Sequence, residues 1–329
     1  MVEAQPKRHF CTYADENYLP NVLALLESLR RHAGSFHLQV LCLTPEATRQ
    51  AAALEAEDFT IFSLETLEKE DPELVKTKNT RSRIEYYFTI TPSWTLAALK
   101  RQPSSESITY IDADTYFYDS PETIFDQIKD KSIGITPHRF RCSLKHLEIY
   151  GLYNVGWVFF RRNKEGISCL EKWKKDCIDW CYDRASEDRF ADQKYLNTWP
   201  MEYPGTEIIS NPGVNLALWN INSQDLSVKN GKVYVDSNPL IFFHFSALKQ
   251  ISDSVFDPDW GQYGVKPARI LKNYIYKPYL RCVKNIKYKS KTAILFKSVR
   301  SIKKPNNRPY LSNWKIFRRC LLGRYIYIP

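Results

Sequence analysis

Glycine is scarce in this sequence, 11 of 329 residues. That excludes collagen-like repeats and Gly-rich flexible linkers. No apolar run approaches the roughly 18 residues that cross a bilayer. Met1 to His9 is polar and carries no apolar signal core. The expectation is a cytosolic chain, free or lodged on the inner face of the cytoplasmic membrane. Glycine loops that cradle phosphate are absent as well. Neither GxxxxGK[ST] nor GxGxxG occurs, and Asn230-Gly231-Lys232 lacks the preceding glycine and its loop. No Gly-rich loop followed by Arg stands near the N-terminus, which argues against sugar-phosphate nucleotidyl transfer. A nucleotide site here must rest on carboxylates and a cation. The eight Cys form no framework, and no Cys/His pair of zinc-site spacing accompanies Cys177 and Cys181. Reduced thiols in a core are the expectation for a chain that is not secreted.

Acids are missing from one end. The last is Asp259, and residues 266–329 hold 18 Lys and Arg. The formal net charge is +10, so the residues before this tail are net acidic. This asymmetry divides the chain into a domain over 1–262 and a basic, aromatic, partly helical appendage over 263–329. With 43% apolar, 14% aromatic and 26% charged residues, the whole is globular in composition.

The body alternates strand-like and helix-like segments. Strands are predicted at His9–Thr12, Phe36–Leu43, Phe59–Leu64, Ser107–Ile111, Ser132–Thr136, Tyr153–Phe160, Val233–Val235 and Leu240–Phe245. Helical spacing marks Leu19–Arg31, Thr44 to about Glu57 with Thr44 as N-cap, and Gly166–Tyr182. Ile84–Lys100 reads as a helix interrupted near Pro92. The fold class is α/β, a single mostly parallel or mixed sheet flanked by helices. Ligands of such sheets bind at the C-terminal ends of the strands.

Ile108-Thr-Tyr-Ile-Asp112-Ala-Asp114 is the strongest local feature. A buried strand runs into two carboxylates, and i, i+2 spacing puts both on one side if the strand conformation continues. Such a pair suits a hard cation, Mn²⁺ or Mg²⁺, that would grip phosphate oxygens. A solvated strand-to-turn junction is the plain alternative. The second Asp-x-Asp, Asp257-Pro-Asp259, follows no predicted strand and reads as a loop. Tyr13-Ala-Asp15-Glu-Asn17-Tyr18 joins the first strand to the first helix, a place for a nucleotide base or for helix capping. His244-Phe-Ser-Ala-Leu-Lys249 leaves an apolar strand and could supply a metal ligand and a phosphate contact, or be a loop with an exposed Lys.

Taken in order, these blocks resemble a nucleotide-sugar glycosyltransferase of the A-type fold, similar to glycosyltransferase family 8 and its bacterial relatives. The resemblance runs from Phe10 to Lys249. It adds Tyr153-Asn154-Val-Gly156-Trp, Asp192-Gln193-Lys-Tyr-Leu-Asn197 and Asn211-Pro-Gly213-Val-Asn-Leu-Ala-Leu-Trp219-Asn220. It implies that Asp15 and Asn17 meet the base, usually uridine, of a UDP-sugar donor. Asp112, Asp114 and His244 would hold Mn²⁺ or Mg²⁺, with Asp112 also on the donor. Lys249 would meet the diphosphate, and Arg81 or Arg83 would help hold the donor. Asn154, Gly156, Asp192 and Gln193 would line the sugar, with Asp192 or Gln193 facing the anomeric carbon in a transfer that retains configuration. Two departures stand out. The interval from His244 to Lys249 is five where the family has six followed by Pro-Trp, and the Asp-Gln block continues with Lys. The acceptor would be a glycan or lipid-linked glycan of cell-envelope polysaccharide synthesis, met by loops such as His138-Arg139-Phe140-Arg141 and Trp219-Asn220.

In residues 266–329, a helix over Lys291–Lys304 would gather Ile294, Leu295, Val299 and Ile302 opposite Lys297, Arg300 and Lys304. Such a basic amphipathic helix suits an anionic membrane surface. Packing of the tail on the acidic body is the alternative. No recognised nucleic-acid module accompanies the basic–aromatic mix, so nucleic acid is not the expected partner. The competing function is a non-catalytic binding protein of the same fold, attached to membrane or nucleic acid by its tail.

Overall fold

The computed structural model describes residues 6–54, 56–292 and 313–329. In chain order its first half runs β1 (Arg8–Ala14), α1 (Leu19–His32), β2 (Phe36–Cys42), α2 (Pro45–Ala51), β3 (Phe59–Ser63), α3 (Leu64–Glu70), α4 (Pro72–Thr77), α5 (Arg83–Arg101), β4 (Ser107–Ile111), β5 (Thr115–Phe117), α6 (Glu122–Ile128) and β6 (Ile133–Pro137). After a 3₁₀ segment, Cys142–Tyr150, come β7 (Tyr153–Arg161), α7 (Lys164–Asp179), α8 (Trp199–Glu202) and β8 (Thr206–Ile208). Short strands follow: β9 (Leu226–Lys229), β10 (Lys232–Val235), β11 (Asn238–Pro239), β12 (Phe242–His244), β13 (Lys249–Ser252) and β14 (Val255–Asp257). The chain ends with α9 (Lys277–Thr292), α10 (Asn313–Leu321) and β15 (Ile326–Tyr327).

Seven strands form one sheet in the order β3-β2-β1-β4-β7-β6-β8. The β3-β2-β1-β4 half is parallel; β7 then runs antiparallel to both β4 and β6. The expected α/β architecture, a mixed sheet with helices on both faces, is what the chain forms. Alternation along each strand sorts the core into two layers. Phe10, Val40, Ile111, Trp157 and Phe159 pack with Val22, Leu25 and Leu29 of α1. Cys11, Leu41, Ile108, Tyr110, Val158 and Phe160 pack with Trp94 of α5 and Trp173 of α7.

The local chemistry of the elements follows the sequence in most places. Thr44 caps α2 by accepting the Ala47 N–H, although α2 ends at Ala51 and a short 3₁₀ turn carries on to Leu54, short of Glu57. Ser82 and Glu85 form a reciprocal capping box at the start of α5. That helix is continuous from Arg83 to Arg101 with Pro92 inside, which corrects the expected interruption. Burial of Thr89 through Thr95 against β1 and β4 outweighs the single backbone bond that Pro92 removes. The pair Asp257-Pro-Asp259 also departs from expectation: Asp257 ends a strand, β14, and is buried. Five of the eight Cys are buried, while Cys142 is exposed.

A third apolar cluster lies beside the sheet. Phe243, Phe245 and Phe256 meet Leu271, Ile275, Tyr276, Tyr279, Leu280 and Val283. Phe245 and Tyr279 stack with ring centroids 3.9 Å apart. Helix α9 lies against α1, where Asn21 donates to the Tyr279 hydroxyl at 2.7 Å. At the C-terminus β15 pairs with β14, and Lys284 donates to the Ile328 carbonyl at 2.9 Å. The helix anticipated over Lys291–Lys304 lies, beyond Thr292, outside the described residues. Among the described residues no helix is long and apolar enough to cross a membrane.

Candidate functional site

The sheet's order reverses between β1 and β4, because β2 and β3 lie on one side and β7 on the other. Loops leaving the C-terminal ends of these strands diverge there and open a crevice. A cleft of about 1170 Å³ occupies this place. Its floor is Tyr13, Ala14 and Asp15 at the end of β1, Leu43 after β2, and Tyr110, Asp112, Ala113 and Asp114 at the end of β4 and just beyond. Its walls include Arg83 and Tyr87 of α5, Phe140, Leu144, Tyr150, Phe190, Trp219 and Tyr263.

Asp112 and Asp114 come together with His244 through strand pairing. β5 begins one residue after Asp114 and pairs antiparallel with β12, with Thr115 opposite His244. His244 Nε2 then lies 3.1 Å from Asp114 Oδ1 and 3.4 Å from Asp112 Oδ2. Asp112 Oδ1 accepts the Tyr110 hydroxyl at 2.8 Å. Burial pushes the Asp112 carboxyl up, against the pull of His244. Burial alone would lower His244, but the Asp114 charge and hydrogen bond raise it. Among the described residues these two carboxylates form ion pairs only with His244. Their ligand atoms and the His nitrogen lie within 4.8 Å of one another. Two carboxylates and one imidazole, crowded and without a Lys or Arg to neutralise them, are a donor set that could hold a divalent cation.

The other expected site residues divide. Asp15, Arg83, Asn154 and Gln193 line the cleft. Asp15 accepts from the Asn17 and Tyr18 backbone at 3.0 and 3.2 Å and pairs with Arg83 at 2.7 Å. Arg83 also donates to the Tyr87 hydroxyl at 2.7 Å. Arg81 points elsewhere: it donates to the Ile178 carbonyl and sits over the Tyr182 ring. Asn17 borders a small hollow on the other side of Asp114, next to Tyr279. Lys249 stands on β13, outside the cleft, in an ion pair with Asp259 at 2.5 Å.

Asp192 and Gln193 are adjacent but differ in setting. Ala191, before them, holds φ +46°, a left-handed conformation that costs energy for a residue with a Cβ. Gln193 reaches the cleft, donating to the Tyr150 carbonyl at 3.0 Å and accepting from Asn154 Nδ2 at 3.1 Å. Asp192 is buried behind it. Burial raises its carboxyl to about 7, offset in part by a hydrogen bond from Thr91 and reinforced by the Asp112 charge.

Gly156 does not line the cleft; a Cβ there would stand 2.7 Å from His244 Nδ1. Of the suggested acceptor loop, His138 and Phe140 face the cleft with rings stacked at 4.6 Å. Arg139 turns inward to the Asn211 and Val214 carbonyls, and Arg141 donates to Tyr263. Burial lowers His138 to about 3, so its ring is neutral. Trp219 lines the cleft, while Asn220 is buried and ties the His138 and Asn215 carbonyls together. Asn215 itself carries no single-residue signal for what it does here, which is to donate to Asn154 Oδ1 at 3.1 Å.

No family model matches the chain. It is 31% identical over 277 residues to the Bacillus subtilis protein YfnD, across 83% of this chain and 87% of that one. It is 32% identical over 251 residues to YfnF of the same bacterium, across 74% and 82%. Among solved structures it is similar to the galactosyltransferase LgtC in complex with donor and acceptor sugar analogs, at 14% identity and TM-score 0.48 over 84% of this chain and 95% of that one. It is also similar to the glycosyltransferase GlyE of Streptococcus pneumoniae, at 13% identity and TM-score 0.48 over 91% and 66%.

Proposed function

We propose that this chain, which belongs to the family of the Bacillus subtilis proteins YfnD and YfnF, is a glycosyltransferase using a nucleoside diphosphate sugar and a divalent cation. The observation that carries this reading is the meeting of Asp112, Asp114 and His244 on the floor of a large cleft at the sheet's switch point. Asp112, Asp114 and His244 would hold Mn²⁺ or Mg²⁺, which acts as a Lewis acid on the charge that develops on a departing diphosphate. Arg83 adds a fixed positive charge at the same cleft, close to Asp15, where a nucleoside such as uridine would lie. Gln193, held from two sides at the cleft, would face a sugar's anomeric centre. Asp192 acts from behind it, and a retaining course is the expected one. Phe140, Tyr150, Phe190 and Trp219 offer flat apolar faces to a glycan acceptor.

The basic C-terminal part suits the surface of an anionic membrane, where a lipid-linked acceptor for envelope polysaccharide would be found. Leu321 and Leu322 are exposed beside Arg318 and Arg324.

The test is hydrolysis of UDP-, GDP- and dTDP-sugars with and without Mn²⁺, which requires no acceptor. The expected result is slow, metal-dependent release of one nucleoside diphosphate, abolished by Asp114→Ala in a protein with an unchanged fold. Absence of release from every donor, together with absence of Mn²⁺-dependent nucleotide binding, would overturn the proposal in favour of a binding protein.

A further inference from the structure

Behind His244 lies a buried hydrogen-bond network whose protons can be assigned from one backbone group. The Gly156 N–H is a donor and nothing else. It points at the Asn154 side chain at 3.0 Å, so the atom it meets is the amide oxygen Oδ1. The Asn154 amide is thereby fixed in one of its two orientations. The outward Nδ2 then faces Gln193 Oε1 at 3.1 Å, and Oδ1 also receives an Asn215 N–H at 3.1 Å, so neighbouring amides agree with the assignment. Asn215 is held in turn at φ +55°, with its Nδ2 also 3.1 Å from the Thr136 hydroxyl.

His244 Nδ1 stands 3.3 Å from that same Asn154 Oδ1. An acceptor oxygen opposite a ring nitrogen requires a proton on the nitrogen. Trp219 packs edge-to-face against the ring at 5.2 Å and supports it in this orientation. Gly156 leaves no side chain between the two partners.

We infer that Asn154 is a positioning residue: its side-chain oxygen holds the proton of His244 on Nδ1 and so keeps the Nε2 lone pair for a cation shared with Asp112 and Asp114. Ligating imidazoles are commonly oriented by an acceptor on the far nitrogen; here the acceptor is a neutral amide with a backbone N–H setting its direction. The inference rests on the metal reading of the cleft. It gives Asn154 a role distinct from contact with a sugar.

The test combines two measurements. In the first, Mn²⁺ affinity is measured by calorimetry and electron paramagnetic resonance on wild type, Asn154→Ala and Asn154→Asp. Loss of the acceptor in Asn154→Ala is expected to weaken binding about 10- to 100-fold. Asn154→Asp keeps an acceptor oxygen and is expected to stay within a few-fold of wild type. In the second, which needs no variant of Asn154, the protein is labelled with ¹⁵N-histidine and loaded with diamagnetic Mg²⁺. The His244 resonance, identified by its loss in His244→Gln, is expected to show a protonated Nδ1. Wild-type affinity in Asn154→Ala, or an unprotonated Nδ1 in the loaded protein, would overturn the inference while leaving the metal site standing. Absence of cation binding by wild type would overturn both. Metal binding without turnover of any sugar nucleotide would defeat the glycosyltransferase reading and leave this inference supported.

Discussion

A single methyl group added at Gly156 provides the sharpest check on how this site is built. The Gly156 backbone is in a conformation any residue adopts, so space alone decides the outcome. An alanine Cβ would lie 2.5 Å from Asn154 Oδ1, 2.7 Å from His244 Nδ1 and 2.9 Å from His244 Cε1. Comfortable contact begins near 3.5 Å, so the ring must retreat by about 0.8 Å. On one side β4 holds the strand, pairing as far as Trp157 and donating the Asp112 N–H to the Gly156 carbonyl at 3.3 Å, while the pairing with β6 skips from Asn154 to Val158. Moving the His244 ring shifts Nε2 from its spacing of 3.4 and 3.1 Å to Asp112 and Asp114, and overpacking of this kind costs about 1–3 kcal/mol. Gly156→Ala is therefore expected to lower Tm by a few degrees and Mn²⁺ affinity by about 10-fold or more. Calorimetric titration with Mn²⁺ alongside a thermal melt measures both. A variant that melts earlier but binds Mn²⁺ like wild type would show that the glycine serves only packing. Unchanged values of both would refute the geometric reasoning.

Other perturbations separate roles that the cleft brings close together. Asp192 is raised from an ordinary 3.8 to about 7, so the unfolded chain releases this proton before the folded one does. Its contribution to stability is full below about pH 4 and is lost as the pH rises to about 7. Asp192→Asn has no proton to lose, and its stability relative to wild type should grow across that window, by about 4 kcal/mol at most; denaturant melts from pH 4 to 8 giving a constant difference would contradict this. Arg83→Ala should raise the KM for the sugar nucleotide several-fold with little change in Tm, because its exposed ion pair with Asp15 is worth at most about 1 kcal/mol. Arg81→Ala should do the reverse, lowering Tm through loss of the Ile178 and Tyr182 contacts and leaving KM alone; equal KM effects from the two would refute the assignment. Cosedimentation with phosphatidylglycerol vesicles should exceed that with phosphatidylcholine, weaken with salt and fall in Leu321→Asp/Leu322→Asp. Binding insensitive to lipid charge would remove the membrane reading.

Much of this protein was legible residue by residue. Strand and helix positions followed from local periodicity, because β1 to β4 and α1, α5 and α7 are each apolar on the faces they bury. The Asp112/Asp114 pair was visible because both carboxylates sit in the short turn that leaves β4 at Ile111, closed by the Thr115 N–H on the Asp112 carbonyl, where neighbours in sequence stay neighbours in space. The charge division at Asp259 needs no structure at all. Between Arg81 and Arg83 the sequence held no preference: both neighbour the start of α5, and only the helix's placement aims one at the cleft and the other at Tyr182. Pro92 misled in the other direction, since a local rule about proline was outweighed by burial of the helix around it. The role of Gly156 could not be read from its neighbours in the chain, because the group that forbids a side chain there, His244, lies 88 positions away. His244 meets Asp114 only because β12 aligns with β5 in one register. Local propensity and carboxylate spacing are properties of a few adjacent residues, which sequence determines by itself. Register between distant strands, and the exclusion of atoms from a shared space, depend on how the whole chain packs, and these the tertiary structure alone decided.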